Sequence, residues 1–211
     1  MADNERSCPR IVIVGGGFGG LELAKRLKGK EVEVILVDRH NYHTFQPLLY
    51  QVATGTLEAE AIAFPLRRAF QNHKNLNFRL ADVTRINPEK NTVDTTTGEI
   101  AYDYLVLATG AATNFFGDKL LQHYTMGMKT VPEALNLRSM ILQSVEGAVR
   151  ELDMVEKEEL MTFVIVGGGP TGVELAGALA EFRNHILQKD YPTLRPQEMR
   201  VFMVESKPKL L

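Results

Sequence analysis

The chain has 211 residues, 24 Lys and Arg against 26 Asp and Glu, 45% hydrophobic residues and one cysteine. That length holds one large domain or one and a half, and a net charge of −2 offers no basic field to nucleic acid or anionic lipid. The composition is too apolar for disorder, Cys8 alone builds neither a disulfide framework nor a Cys-rich zinc site, and no apolar run nears the roughly 18 residues of a spanning helix.

The first ten residues, MADNERSCPR, lack the apolar core of a signal peptide, so a cytoplasmic protein is expected. Residues 11–14 (IVIV) read as a buried parallel strand, apolar on both faces. A G-x-G-x-x-G run follows as Gly15, Gly17 and Gly20, and then a helical pattern with Leu21, Ala24 and Leu27. Residues 31–38 (EVEVILVD) form a second strand ending in Asp38. Residues 57–70 look helical, limited by Pro65. Residues 77–102 read as short antiparallel strands with turns at Asn87-Pro88 and Thr97-Gly98. YLVLA (104–108) is another buried strand, closed by Thr109-Gly110. Residues 131–152 read as a long amphipathic helix, with Leu137, Ile141, Val145, Ala148 and Leu152 in phase.

Then the opening unit recurs. VIVGGGFGGLELA (12–24) and VIVGGGPTGVELA (164–176) match at ten of thirteen positions, and ten of the 17 glycines fall in residues 15–20 and 167–177. The second copy continues through a polar, Pro-containing insertion at 186–198 to RVFMVE, ending in Glu205. The expected architecture is α/β: two Rossmann-like dinucleotide-binding units, the first with a small antiparallel meander and the second incomplete. The boundary falls near residue 112, so 1–112 and 113–211 are the two domains.

The motif has a physical rationale. The first glycine permits the turn out of the strand, the second lets the backbone approach a pyrophosphate, and the third lets helix and strand pack closely. The helix N-terminus offers free N–H groups and partial positive charge to the phosphates. Asp38, 18 residues past Gly20, is placed for a ribose. Glu205 is placed likewise but 33 residues past Gly172, and an acid there favours NADH over NADPH, a preference Lys207 softens. Two loops imply two dinucleotides, a resident flavin and an exchanging nicotinamide.

Beyond these elements, the chain resembles the two-dinucleotide-binding-domain flavoproteins through the two loops, YDYLVLATG (102–110) and the interposed meander. NYHTFQPLLYQVATGTL (41–57), MKTVPEALNLRSMI (128–141) and GGGPTGVELAGALAE (167–181) are similar to type II NADH:quinone oxidoreductases. That resemblance implies an enzyme that passes hydride from NADH to FAD and electrons to a membrane quinone, without pumping protons. It implies FAD contacts from Gly15, Gly17, Gly19, Gly20, Asp38, Arg39, Gln51, Val83, Ala108, Thr109 and Gly110. It implies NADH contacts from Gly167, Gly169, Pro170, Thr171, Gly172, Glu174 and Glu205, with Glu174 as the catalytic candidate. Glu174 also reads as an ordinary helix-start acid, and Glu22 holds the same place in the first copy. No metal is implied. The family is peripheral to the inner face of the cell membrane, through a C-terminal region, and commonly homodimeric.

Relatives that relay electrons through cysteine pairs are disfavoured by the lone Cys8, so electrons are expected to leave the flavin directly. The alternatives are an NADH reductase with a ferredoxin-type or other acceptor, and a truncated nucleotide-binding chain without turnover. The second unit has only two strands and one crossover helix of its sheet. The chain is therefore expected to be an N-terminal portion with unpaired strand edges at 201–204, weak FAD retention and little quinone reduction by itself. His43 reads as either near the flavin or simply packed, Arg67-Arg68 as a solvated helix face, and Phe115-Phe116 as packing between the units. The five histidines show no ligand spacing and the serines no G-x-S-x-G.

Overall fold

The computed structural model describes residues 7–210. In chain order the elements are β1 (Arg10–Val14), α1 (Phe18–Arg26), β2 (Glu33–Asp38), β3 (Tyr42–Thr44), α2 (Leu49–Ala53), β4 (Ala63–Pro65), α3 (Leu66–Ala69) and β5 (Leu76–Leu80). There follow β6 (Val83–Asn87), β7 (Thr92–Thr95), β8 (Gly98–Ala101), β9 (Tyr104–Leu107), α4 (Lys119–Tyr124), α5 (Val131–Arg150), α6 (Met154–Leu160), β10 (Thr162–Val166), α7 (Pro170–Glu181) and β11 (Arg200–Val204). The chain divides into two compact units: the described part of Met1–Thr44 with Ala63–Ala112, and Phe45–Ile62 with Thr113–Leu211 up to residue 210.

In the first unit, β5, β2, β1 and β9 form a parallel sheet in that order. One face carries Ile13, Val34 and Leu36, which pack against Leu21 and Ala24 of α1 and against Leu66 and Phe70. The other face carries Val12, Val14, Ile35 and Val37. An antiparallel meander, β6-β7-β8, closes over it with Val93, Ile100 and the nearby Tyr102. Each of these valines and isoleucines is fully or almost fully buried, a gain of roughly 1.5–3 kcal/mol apiece.

In the second unit, β10 and β11 pair in parallel. The long helix α5 buries Val131, Ala134, Leu137, Ile141, Val145 and Ala148 at helical spacing. Its start is fixed by a capping box: the Thr130 hydroxyl accepts from the Glu133 amide, and Glu133 accepts from the Thr130 amide. Asp118 and Asp153 cap α4 and α6 more simply, each carboxylate accepting from two of the first amides.

Four sequence expectations change. Residues 45–62, placed in the first domain from the sequence, pack with the second unit. Residues 57–70 are not one helix: a 3-10 turn (Ala59–Ala61) leads into β4, which pairs antiparallel with β3, and α3 starts after Pro65. Proline has no amide for a helix interior, so it serves as the cap instead. β5 joins the parallel sheet beside β2 rather than the meander. The insertion after α7 begins as helix, because a π-helical turn (Phe182–Leu187) prolongs it to Asp190. One side-chain reading also changes, since Phe116 is exposed. Arg67 and Arg68 are exposed, as expected, and the Arg67 guanidinium also lies over the Phe78 ring and donates to the Phe78 carbonyl at 3.4 Å.

Candidate functional site

The two glycine loops are near-superimposable in their local bonding. Gly15 and Gly167 have φ of +107° and +109°. Their amides donate to Val37 and Val204 carbonyls, both at 2.8 Å. The positive φ is the reason glycine stands first in each loop.

The remaining glycines separate into two roles. A Cβ on Gly20 would lie 1.8 Å from the Gly15 carbonyl oxygen, and one on Gly172 would lie 2.0 Å from that of Gly167. These two are required by the contact of helix with loop. A Cβ on Gly17 or Gly169 would meet nothing within 4 Å, and none on Gly19 would be closer than the Ala108 Cβ at 4.0 Å. No protein atom demands glycine there. The open space lies at the helix start, where a phosphate needs close approach to backbone amides.

The helix caps agree. α4, α5 and α6 begin with side chains that accept from their first amides. α1 and α7 begin at Gly17 and Gly169, with no side-chain cap bond. With no side-chain cap, the positive dipole ends of these two helices favour an anion. The residues thus fit a dinucleotide at each loop.

Each strand-end acid braces its own loop. Asp38 Oδ2 accepts from the Gly16 amide at 2.5 Å, and Oδ1 accepts from the His40 amide at 2.7 Å. Glu205 Oε2 accepts from the Gly168 amide at 2.7 Å, and Oε1 accepts from the Lys207 amide at 2.9 Å. Those amides, Gly168 first and Lys207 second, with the Ser206 hydroxyl, hold the Glu205 carboxyl down to about 2. The acid therefore stays ionised and able to accept from ribose hydroxyls. Arg39, beside Asp38, is exposed and paired with Asp82 at 3.2 Å.

The first loop has one further brace. His43 is buried on β3, and its Nδ1 lies 2.9 Å from the Gly16 carbonyl oxygen, so Nδ1 carries the hydrogen. Its ring meets Phe18 edge to face at 5.1 Å. The Gly16 peptide is held at both ends, by Asp38 and by His43. The sequence reading left His43 between a flavin neighbour and a packed residue. Its partner depends on β3, a three-residue strand with no strong local signal.

Ala108 follows β9, and its carbonyl limits Gly15: a Cβ there would lie 2.3 Å away. Thr109 and Gly110 are exposed after it, with Gly110 at φ +69°. Val83 opens β6, half-buried and paired with Thr95. In the second unit, Pro170 and Thr171 are exposed at the start of α7.

Gln51 and Glu174, assigned from sequence to different cofactors, line one cavity of about 320 Å³ with Tyr50, Thr56 and Glu181. The Gln51 side-chain amide donates to the Tyr50 hydroxyl at 3.1 Å. Glu174 differs from its counterpart Glu22, which pairs with Arg26 one helical turn on at 2.8 Å. The matching position in the second copy is Ala178, so Glu174 has no such cation. Among the described residues no group of three or more His, Cys, Asp or Glu could hold a metal ion.

A family model for pyridine nucleotide-disulphide oxidoreductases matches residues 9–211. The chain belongs to this family. Within it, the chain is 40% identical over 206 residues to the type II NADH:quinone oxidoreductase NdhA of Mycobacterium tuberculosis, covering 96% of this chain and 44% of that protein. It is 33% identical to the external alternative NADH-ubiquinone oxidoreductase of Yarrowia lipolytica, covering 95% of this chain and 36% of that one. The solved structure of NDH2 from Plasmodium falciparum in complex with NADH matches with a TM-score of 0.89 at 28% identity, over 96% of this chain and 43% of that one. The chain thus spans less than half the length of these relatives, and it shares their α/β fold.

Proposed function

We propose that this chain is the dinucleotide-binding part of an NADH-oxidising flavoprotein, with FAD at the first loop and NADH at the second. Hydride would pass from NADH to FAD and electrons onward to a membrane quinone, without proton pumping. The observation that carries this reading is the doubled loop. Each copy has an uncapped helix start, a glycine facing open space and an ionisable acid bonded to the loop amide.

Asp38 and Glu205 would each take a ribose, bracing the loop and accepting hydroxyl protons. Gly15, Gly17, Gly19 and Gly20 would present amides to the FAD pyrophosphate, with Ala108, Thr109 and Gly110 closing that side. Arg39 and Val83 would flank the adenosine half of FAD. Gly167, Gly169, Pro170, Thr171 and Gly172 would present amides to the NADH pyrophosphate. Gln51 and Glu174 would attend the flavin and nicotinamide rings, because they share a cavity and Glu174 lacks the cation that neutralises Glu22. The protein's task is proximity and orientation rather than nucleophilic attack. The family members similar to this chain are named as quinone oxidoreductases, which favours quinone over a protein or dye acceptor. A peripheral place at the inner face of the cell membrane and a homodimer complete this reading. No helix among the described residues is long and apolar enough to cross a membrane.

The test starts from the purified chain. FAD at about 100 times its Kd should stabilise the chain by about 2.7 kcal/mol in thermal melts, and Asp38→Ala should remove most of that shift. NADH should bleach the bound flavin, and a soluble quinone should restore its colour. A second reading, a nucleotide binder without turnover, draws on the chain's spanning 44% of the NdhA length. It predicts stabilisation by both nucleotides with no bleaching.

A further inference from the structure

A second cavity, of about 360 Å³, is lined by residues of the second unit that the proposed redox chemistry does not use. Its apolar wall is Ile141, Phe182 and Ile186, and its polar rim is Arg138, His185, Lys189 and Asp190. Its volume is in the range of small-ligand sites.

Three observations make it more than a crevice. Gly55, at φ +73°, forms part of the lining, and a Cβ there would come within 3.3 Å of the Arg138 guanidinium Nε. The guanidinium thus lies close against a turn whose positive φ favours glycine. Next, the π-helical turn (Phe182–Leu187) supplies Phe182, His185 and Ile186 to the wall. Such turns are uncommon and recur at functional sites. Last, the rim holds two permanent cations and a histidine against one carboxylate. Arg138 pairs with Glu58 at 3.3 Å, and because the Glu58 side chain is largely exposed the pair contributes little. An incoming anion can replace Glu58 at small cost.

We propose that this cavity binds a small single-chain amphiphilic anion, its head on Arg138 and Lys189 and its aliphatic chain along Ile141, Phe182 and Ile186. The consequence reaches the other cavity. Thr54 and Gly55 line this one, and the Thr54 hydroxyl donates to the Tyr50 carbonyl at 3.0 Å. The Gln51 carbonyl in turn receives the Thr56 amide at 2.9 Å and the Thr56 hydroxyl at 3.1 Å. An occupant therefore bears on the turn that ends the Gln51 segment. The binding itself does not depend on the redox reading.

The test is an amide NMR titration of the isotopically labelled chain with octanoate, using octanol as the neutral-headed control and acetate as the chainless one. Octanoate should shift Thr54, Gly55 and Ile186 saturably, at least about tenfold more tightly than octanol. Arg138→Met should weaken octanoate at least about fivefold and leave octanol unchanged, and Glu58→Gln should tighten octanoate. Lys189→Met, at an exposed position, gives the same reading should Arg138→Met fold poorly. Equal affinity for octanoate and octanol, saturable shifts confined to other residues, or no effect of either cation variant would overturn the proposal. So would shifts produced by phosphatidylglycerol vesicles but not by free octanoate.

Discussion

Val12 and Val164 occupy the same place in the two copies of the glycine-loop unit, yet the first is fully buried and the second 58% exposed. The difference extends across a whole strand face. In the first unit, Val12, Val14, Ile35 and Val37 lie under the meander. In the second, Val166, Phe202 and Val204 stand 52%, 49% and 56% exposed beside Val164, in the same strand register. The loops nonetheless agree in φ, in the strand-to-loop hydrogen bond and in the acid-to-amide bond. The glycine loop is therefore a local object, complete once strand, turn, helix and second strand are present. The covering layer adds burial but does not shape the loop. A second contrast is His43, which holds the Gly16 carbonyl in the first copy. The corresponding Gly168 peptide is held through its amide, by Glu205. A loop fixed at both ends suits a cofactor that stays, and one fixed at one end suits a cofactor that leaves.

The sharpest way to break this comparison is at the glycines. Gly20→Ala and Gly172→Ala drive a Cβ into a backbone carbonyl and should each cost at least about 3 kcal/mol in urea unfolding. Gly17→Ala and Gly169→Ala meet open space and should cost no more than about 1 kcal/mol while weakening FAD and NADH binding respectively. A large stability loss at Gly17 would mean that the space serves the fold and not a ligand.

The next test is of the covered and bare faces. Val12→Thr buries a hydroxyl among apolar side chains and should cost about 2 kcal/mol. Val164→Thr should change stability by less than about 0.5 kcal/mol. Equal costs in denaturant titrations would show that the second face is covered in solution.

A pH experiment tests the brace on the second loop. The Glu205 carboxyl is depressed in the folded chain from its ordinary 4.5 to about 2. Its contribution is therefore complete above pH 4.5 and is lost as pH falls through about 2, because the unfolded chain binds the proton first. Carboxyl NMR should place its titration near the lower value, and Glu205→Gln should flatten stability across that window. An ordinary titration midpoint would remove the brace.

The smallest effect is expected at the paired helix-start acids. Glu22→Gln should lower the melting temperature slightly, and less at high salt, because it gives up an exposed pair with Arg26. Glu174→Gln has no such pair to lose and should leave stability unchanged while slowing NADH oxidation. Unchanged turnover would take Glu174 out of the proposed machinery.

Legibility followed the range of the contacts. The loops, their helices and the strand-end acids were readable because each is specified within a few residues by backbone conformation and apolar periodicity. The long helix α5 was readable too, through its 3–4 apolar spacing, although it ends at Arg150 and leaves Leu152 exposed beyond it. Residues 57–70 misled because their apolar count suits a helix, whereas pairing of Phe64 with His43 and the proline at 65 impose a strand. β5 misled because LNFRL shows no long apolar run, yet it lies parallel to β2 across five residue pairs.

By itself, the sequence determined that the chain carries two glycine loops with two strand-end acids, since glycine spacing and strand–turn–helix order are local and admit few alternatives. Only the tertiary structure decided that residues 45–62 pack with the second unit, that Gln51 and Glu174 share a cavity, that His43 bonds Gly16, and that one copy's strand face is covered while the other's is bare. Each of those depends on residues far apart in the chain being brought together by the burial of side chains, and no short stretch of sequence encodes that.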